Sequence, residues 1–344
     1  MSEDNSLLIV KNLRMIFITD AGAVRALDGV DLSVGYREVL GVVGESGAGK
    51  SALGLTIMRL IPSPPGRILE GSSIIFKGID LLKLSEEEMT RVRGTGISMI
   101  FQEPMTSLNP VYTIGDQIKE SIRLRITRSK KERPRGGSLD KLDGGVSVEE
   151  ELLEALRLVR IPDPEKIAKS YPHELSGGMR QRAMIAMVLA AKPSLLIADE
   201  PTTALDVTTQ AQILKLLRDL IEEVGASILF ITHDFGVIGD IADRVAVMYA
   251  GNVVEVADVY DLFRRPSHPY TIGLMESIPR LTGGREELPT LKGSMPSLIS
   301  PPPGCKFHPR CPHAFDRCRR EPPKLVEIGR GRWVACHLFE EDKP

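Results

Sequence analysis

No run of the 344-residue sequence stays apolar over the roughly 18–20 residues that a bilayer-crossing helix needs. The best candidate, residues 183–198, is broken by Lys192 and Pro193 and reads as a buried helix followed by a strand. The opening Met-Ser-Glu-Asp-Asn-Ser lacks the basic and apolar regions of a secretory signal. A cytoplasmic chain is expected, with any membrane role exercised through partners. Net charge is scarce too: a value of -2 gives no general pull towards nucleic acid or acidic lipid, so no nucleic-acid partner is expected. Cysteine is missing until late in the chain, and the four present lie between Cys305 and Cys336. In a reducing compartment such clustering points to a metal or cluster site ahead of disulfides. Internal repeats are absent. This length suits one large domain with an appendage.

What is abundant is change of period along the chain. Residues 7–18, 24–34 and 38–43 are rich in Val, Ile and Leu and predict strands, and residues 50–60 switch to helical spacing. Residues 73–76, 97–101, 194–198, 227–232 and 244–249 predict further strands. Residues 195–198 and 228–231 are apolar without alternation, as strands covered on both faces are. From 112 to about 175 strand signals vanish, and helices are expected at 114–124, 148–159 and 165–171. Between the first two, residues 125–145 are basic and Gly-rich, which reads as a solvated loop or as a contact for a lipid headgroup or partner. From about Thr282 prolines accumulate, so this tail is not expected to build regular helices and reads as a separate module. The expected class is α/β with an antiparallel portion at the N-terminal end.

Gly44-Glu45-Ser46-Gly47-Ala48-Gly49-Lys50-Ser51 matches G-x-x-x-x-G-K-[ST] between a predicted strand and a predicted helix. Glycines let backbone N–H groups converge on phosphates at a helix N-terminus, where the dipole also favours anions. Lys50 is expected to reach the β- and γ-phosphates, and the Ser51 hydroxyl to ligate Mg²⁺. Farther on, an apolar strand delivers Asp199 and Glu200 at its C-terminal end, where open α/β sheets bind ligands. Asp199 suits Mg²⁺, directly or through water, and Glu200 suits the general base that orients an attacking water. Ser176-Gly177-Gly178 opens a helix expected to run to Ala191, with Ser176 as its N-cap. That helix start is a second anion site in a chain with one phosphate loop. Its simplest use is to grip ATP held by another subunit.

Taken together, the motifs resemble the ABC transporter ATPase family over residues 7 to about 277. The resemblance implies a P-loop ABC ATPase core, with a mixed sheet, an N-terminal antiparallel β subdomain and a helical subdomain at about 112–175. This ATP-binding domain would span 1–278. It further implies that Gln102 senses Mg²⁺ and the nucleophilic water, that His233 contacts the γ-phosphate, and that Asp206 lies at a dimer interface. Thr203 stands where many members have Ser. Phe17 matches the aromatic that stacks on adenine, or is a core residue of its strand.

Residues 101–110, Met179 and His268-Pro-Tyr-Thr271 are similar to the dipeptide/oligopeptide importer ATPases, and so is the stretch 304–313 continued by Cys318 and Cys336. The Met-containing signature looks like the D-type subunit. This resemblance implies a heterodimer with a second ATPase, two transmembrane permeases and an extracytoplasmic substrate-binding protein. The chain would then lie peripherally on the cytoplasmic face of the plasma membrane. Relatives of this subfamily carry peptides, nickel or oligosaccharides, and soluble ABC ATPases acting on DNA or ribosomes form another class. The tail, 279–344, would be a small irregular Cys-rich module. Its four cysteines, Cys305, Cys311, Cys318 and Cys336, lack the close knuckles usual for zinc. They suit a [4Fe–4S] cluster, which the resemblance also implies, with Zn²⁺ or a metal-free or partly disulfide-linked tail as alternatives.

Overall fold

Runs of Val, Leu and Ile without polar alternation need cover on both faces, and the strands containing them are wholly buried. The structure is a computed structural model that describes residues 5–102, 107–129, 147–202, 206–277 and 291–340. It divides into two units, Met1–Leu82 with Phe230–Pro344, and Lys83–Leu229. The strands, numbered along the chain, are β1 (Ser6–Thr19), β2 (Gly22–Gly35), β3 (Val39–Val43), β4 (Gly66–Ile68), β5 (Ser73–Phe76) and β6 (Ile79–Asp80). They continue with β7 (Ile97–Ile100), β8 (Leu195–Asp199), β9 (Ser227–Thr232), β10 (Arg244–Tyr249), β11 (Asn252–Asp258), β12 (Val326–Gly329) and β13 (Arg332–Val334).

In the first unit β1 and β2 form a long antiparallel ribbon whose register runs from Ser6 opposite Gly35 to Thr19 opposite Gly22. The antiparallel sheet has the order β2-β1-β5-β6, with β4 also on β1. This is the antiparallel piece anticipated at the N-terminal end. A second sheet in this unit is mixed. Every residue of β3 is buried, and β3 lies parallel to β10, on which β11 folds back antiparallel. The helix Lys50–Ile57 follows β3 directly through the glycine loop.

The second unit pairs β7 and β8 in parallel, both fully buried. Its helices are set by local capping chemistry. Ser85 with Glu88 and Ser147 with Glu150 close capping boxes on the helices Glu86–Val92 and Val148–Leu158. Gly225, in the left-handed conformation at φ 70°, ends the helix Val207–Val224. The helix Ile114–Ser129 runs farther than its expected end near 124. Arg125, inside it, is ion-paired with the buried Glu151, which Lys192 also reaches at 3.0 Å. The rest of the basic stretch, 130–145, lies outside the described residues. The expected helix at 165–171 shortens to Pro164–Ala168, before the turn Pro172–Glu174. The strand β9 carries the division between the units within its own length.

Among the described residues the tail forms a 3₁₀ turn at Asp316–Arg319 and two short strands, with no α-helix. A free-standing Cys-rich module is not supported. The segment holds four cysteines, and its strand β13 extends the mixed sheet by pairing with β11, where Ala335 N–H donates to Val254 O at 2.8 Å. The edge of β11 offers unpaired backbone groups that a short strand satisfies. The proposed boundary near 279 lies outside the described residues.

Candidate functional site

The first unit carries the glycine loop. Gly44, Gly47 and Gly49 have φ of 156°, 81° and 101°. A Cβ on Gly44 would stand 2.2 Å from Met248 O, and one on Gly49 would stand 2.5 Å from Ala26 O. Both positions therefore exclude larger residues on grounds of space as well as backbone conformation. Lys50 is only 5% exposed, and its Nζ donates to Gly44 O at 2.8 Å and Glu45 O at 3.0 Å. The loop thus curls around an ammonium group at the start of a helix. Converging amides, a helix N-terminus and a buried cation make a donor set that fits a triphosphate, with the Ser51 hydroxyl one residue beyond for Mg²⁺.

Three further residues act on this loop, and the sequence reading had assigned none of them a role there. Tyr270 Oη accepts the Glu45 N–H at 2.9 Å. The Arg310 guanidinium grips the Glu45 carboxylate, and those hydrogen bonds push the Arg310 pKa above its already high value. Tyr249 and Tyr270 pack with ring centroids 4.6 Å apart beneath it. Of the other residues expected at a nucleotide site, Phe17 is half-buried in β1, paired with Val24 on β2 and Gly66 on β4. His233, in this unit as well, is exposed just beyond β9.

The second unit carries the carboxylates. Asp199 ends β8 and is 5% exposed, whereas Glu200 turns out of the strand at φ 46° and is half-buried. Gln102 Nε2 donates to Glu200 Oε2 at 3.0 Å, which joins two residues 98 positions apart. Ser176 caps the helix Gly177–Ala190 by accepting the Met179 N–H at 3.3 Å. Beside Gly177 there is open space, while a Cβ on Gly178 would come within 3.1 Å of Thr209 Cγ2. Gln181 Nε2 donates to Pro201 O at 2.5 Å, which ties this helix to the turn after β8. Asp206 caps the helix Val207–Val224 through the hydroxyl and N–H of Thr209, and these bonds lower its pKa. Thr203, Ala204 and Leu205 lie outside the described residues, as do residues 103–106 after Gln102.

Residues 27–203 match the family model described as ABC transporter, about half of the chain. The chain is also 51% identical to a probable peptide ABC transporter ATP-binding protein, y4tR, of Sinorhizobium fredii, over 97% of this chain and 96% of that one. It belongs to the ABC transporter family.

This ABC ATPase hydrolyses ATP, and its domain implies Mg²⁺ as the accompanying cation. Residues 254–318 match a second model, the oligopeptide/dipeptide transporter C-terminal region. The oligopeptide transport ATP-binding protein AppD of Bacillus subtilis is 48% identical over 98% of both chains. Among solved structures, the dimeric bacterial cassette MJ0796 is similar with a TM-score of 0.61 and 26% identity, covering 73% of this chain and 98% of that one. It supports the P-loop ABC ATPase fold.

The iron–sulfur expectation fails, and the zinc alternative with it. The four cysteines line one small cavity together with His308, His313 and His337. Among the described residues, however, no group of three or more His, Cys, Asp or Glu side chains is arranged to hold a metal ion. With no metal bound, burial pushes Cys305 up to about 11 and Cys336 up to about 12, and it raises Cys311 too. His337 is engaged at both ring nitrogens, by Glu340 Oε2 at 3.0 Å and Glu321 O at 2.8 Å. The four thiols are free, Cys318 and Cys336 buried and Cys305 and Cys311 half-buried.

Proposed function

We propose that the chain is the ATP-hydrolysing subunit of an importer for di- or oligopeptides. Supporting this are the C-terminal region model over residues 254–318 and relatives whose names describe peptide and oligopeptide transport ATP-binding proteins. The working unit is a pair of ATPase subunits, this chain and a second one, beneath two permeases supplied by an extracytoplasmic binding protein. No helix among the described residues is long and apolar enough to cross a membrane. In this reading the permeases carry the path and this chain rests on their cytoplasmic face. Residues 1–278 form the ATP-binding domain, with a helical part at about 112–175, and 279–344 form the transporter-type tail.

In this reading the loop 44–51 holds the phosphates, with Lys50 opposite the β- and γ-phosphates. Ser51, Asp199 and Gln102 hold Mg²⁺, which offsets charge as the γ-phosphoryl is transferred to water. Glu200 is the general base, His233 touches the γ-phosphate, and Phe17 stacks on adenine. Ser176, Gly177 and Gly178 of the partner ATPase close over the nucleotide, and Asp206 lies at that interface. Neutralising the triphosphate from both sides favours closure, and hydrolysis releases it. The observation that supports the catalytic part is the Gln102–Glu200 hydrogen bond at the end of a buried strand, which joins the two side chains assigned here to Mg²⁺ and to the base.

Glu200→Gln tests this reading in the assembled complex. ATP binding should persist, while turnover should fall on the order of a hundredfold or more. Unchanged turnover would reject Glu200 as the base. Uptake assays with labelled peptides, Ni²⁺ and oligosaccharides in proteoliposomes test the substrate, and transport of nickel or sugar without peptide transport would overturn the peptide assignment.

A further inference from the structure

A loop that binds a polyanion carries a carboxylate of its own. Glu45 follows Gly44 directly, and an uncompensated negative charge there opposes a triphosphate. In the structure this charge is matched from the C-terminal segment. Arg310 Nη1 donates to Glu45 Oε2 at 2.7 Å and Nη2 to Oε1 at 3.0 Å, a fork-to-fork pair across 265 positions of sequence. The Arg310 side chain is 5% exposed and that of Glu45 31%. The guanidinium is held in turn: its Nε donates to Lys292 O at 3.0 Å, and its carbon lies 5.8 Å from the centroid of Tyr249 and 6.0 Å from that of Phe307. Tyr249, Tyr270 and Phe307 form a buried aromatic platform.

The backbone of Glu45 is fixed independently. Its N–H donates to the Tyr270 hydroxyl, and its carbonyl accepts from Lys50 Nζ and from Ala48 N–H at 3.1 Å. A planar bidentate pair supplies orientation as well as charge, which a lysine would not. The geometry points to Arg310 as a positioning residue for ATP, acting through Glu45: it neutralises the loop's own carboxylate and braces the turn after Gly44, so that the C-terminal segment sets nucleotide affinity. This rests on the reading that residues 44–51 hold the phosphates of ATP.

The test compares Arg310→Ala, Arg310→Lys, Glu45→Gln and the combinations, by ATP titration of the full chain and by KM and kcat of the assembled complex. Arg310→Ala should raise the Kd and KM for ATP about tenfold while kcat changes by less than about twofold. Adding Glu45→Gln to Arg310→Ala should bring the Kd back to within about threefold of the parent, because the stranded charge is gone. Arg310→Lys, which keeps the charge and loses the fork, should fall between. A merely structural Arg310 would lower the melting temperature, leave KM unmoved and give a double variant no tighter than the single one. That pattern overturns the proposal. If Arg310→Ala does not fold, the pair Arg310→Lys with and without Glu45→Gln decides by the same comparison of Kd. Lys50→Ala separates the two readings. Lost ATP binding there, with no shift at Arg310, rejects the positioning role alone, whereas retained ATP binding rejects the phosphate-loop reading beneath it.

Discussion

The phosphate loop of the first unit and the carboxylate end of β8 in the second differ in where the groups that hold them come from: the loop is held by groups remote in sequence, whereas at the strand end Gln102 and a local backbone turn set the geometry. Around the loop, Gly44 and Gly49 are pressed against the carbonyls of Met248 and Ala26, Lys50 is buried, and Glu45 is tied through its N–H, its carbonyl and its side chain. The restraining groups come from Ala26, Met248, Tyr270 and Arg310, far apart in sequence. Around Glu200 the geometry includes a hydrogen bond from the exposed Gln102 and a left-handed backbone turn. Binding a highly charged nucleotide demands preorganised donors, since reorganising them on binding would cost affinity.

The contrast breaks most severely at Gly49. Gly49→Ala forces a left-handed φ on a residue with a Cβ and drives that Cβ into Ala26 O. The expected loss of stability is about 1–3 kcal/mol, with ATP affinity reduced by on the order of a hundredfold. Thermal unfolding and ATP titration measure the two, and near-wild-type values in both would show that the loop is softer than its geometry indicates.

Acid sharpens the comparison from below. His268 is fully buried, accepts the Tyr270 N–H on Nδ1 at 3.0 Å, and has its pKa lowered by burial from 6.5 to about 3. Because the folded value lies below the unfolded one, this histidine contributes stability that is present above pH 6.5 and is lost as pH falls towards 3. Between pH 6.5 and 5 the loss should reach about 2 kcal/mol. Urea unfolding across that range measures it, and His268→Asn, which keeps an acceptor for the helix start, should flatten the dependence. An unchanged slope in that variant would remove His268 as its source.

The smallest effect belongs to the second unit. Ser176→Ala removes the cap on the helix Gly177–Ala190 and should cost about 1 kcal/mol in unfolding experiments. A markedly larger loss would mean that this helix start is as tightly determined as the phosphate loop.

Much of this was legible in the sequence where the signal is local. The strand–loop–helix at 39–57, the apolar run into Asp199 and the Ser176 cap each fit within a dozen residues, and each appears where its pattern placed it. The tail misled, because clustering of cysteines along the chain says nothing about whether their side chains are arranged to hold a metal ion. His268-Pro-Tyr-Thr271 was readable only as a family resemblance, although Tyr270 supports the loop directly. Nothing near Arg310 marks it as the partner of Glu45, since a guanidinium at the surface and one stacked on buried aromatics look the same in sequence.

By itself the sequence determined the class of the chain: a run of Val and Leu, a glycine-rich turn and a helix start dictate backbone conformations that belong to phosphate binding, because φ preference and hydrophobic period act over short windows. Only the tertiary structure decided what surrounds that loop. The Glu45–Arg310 pair, the joining of β13 to β11 and the arrangement of the four cysteines depend on burial and on contacts between distant segments, and no local pattern carries that information.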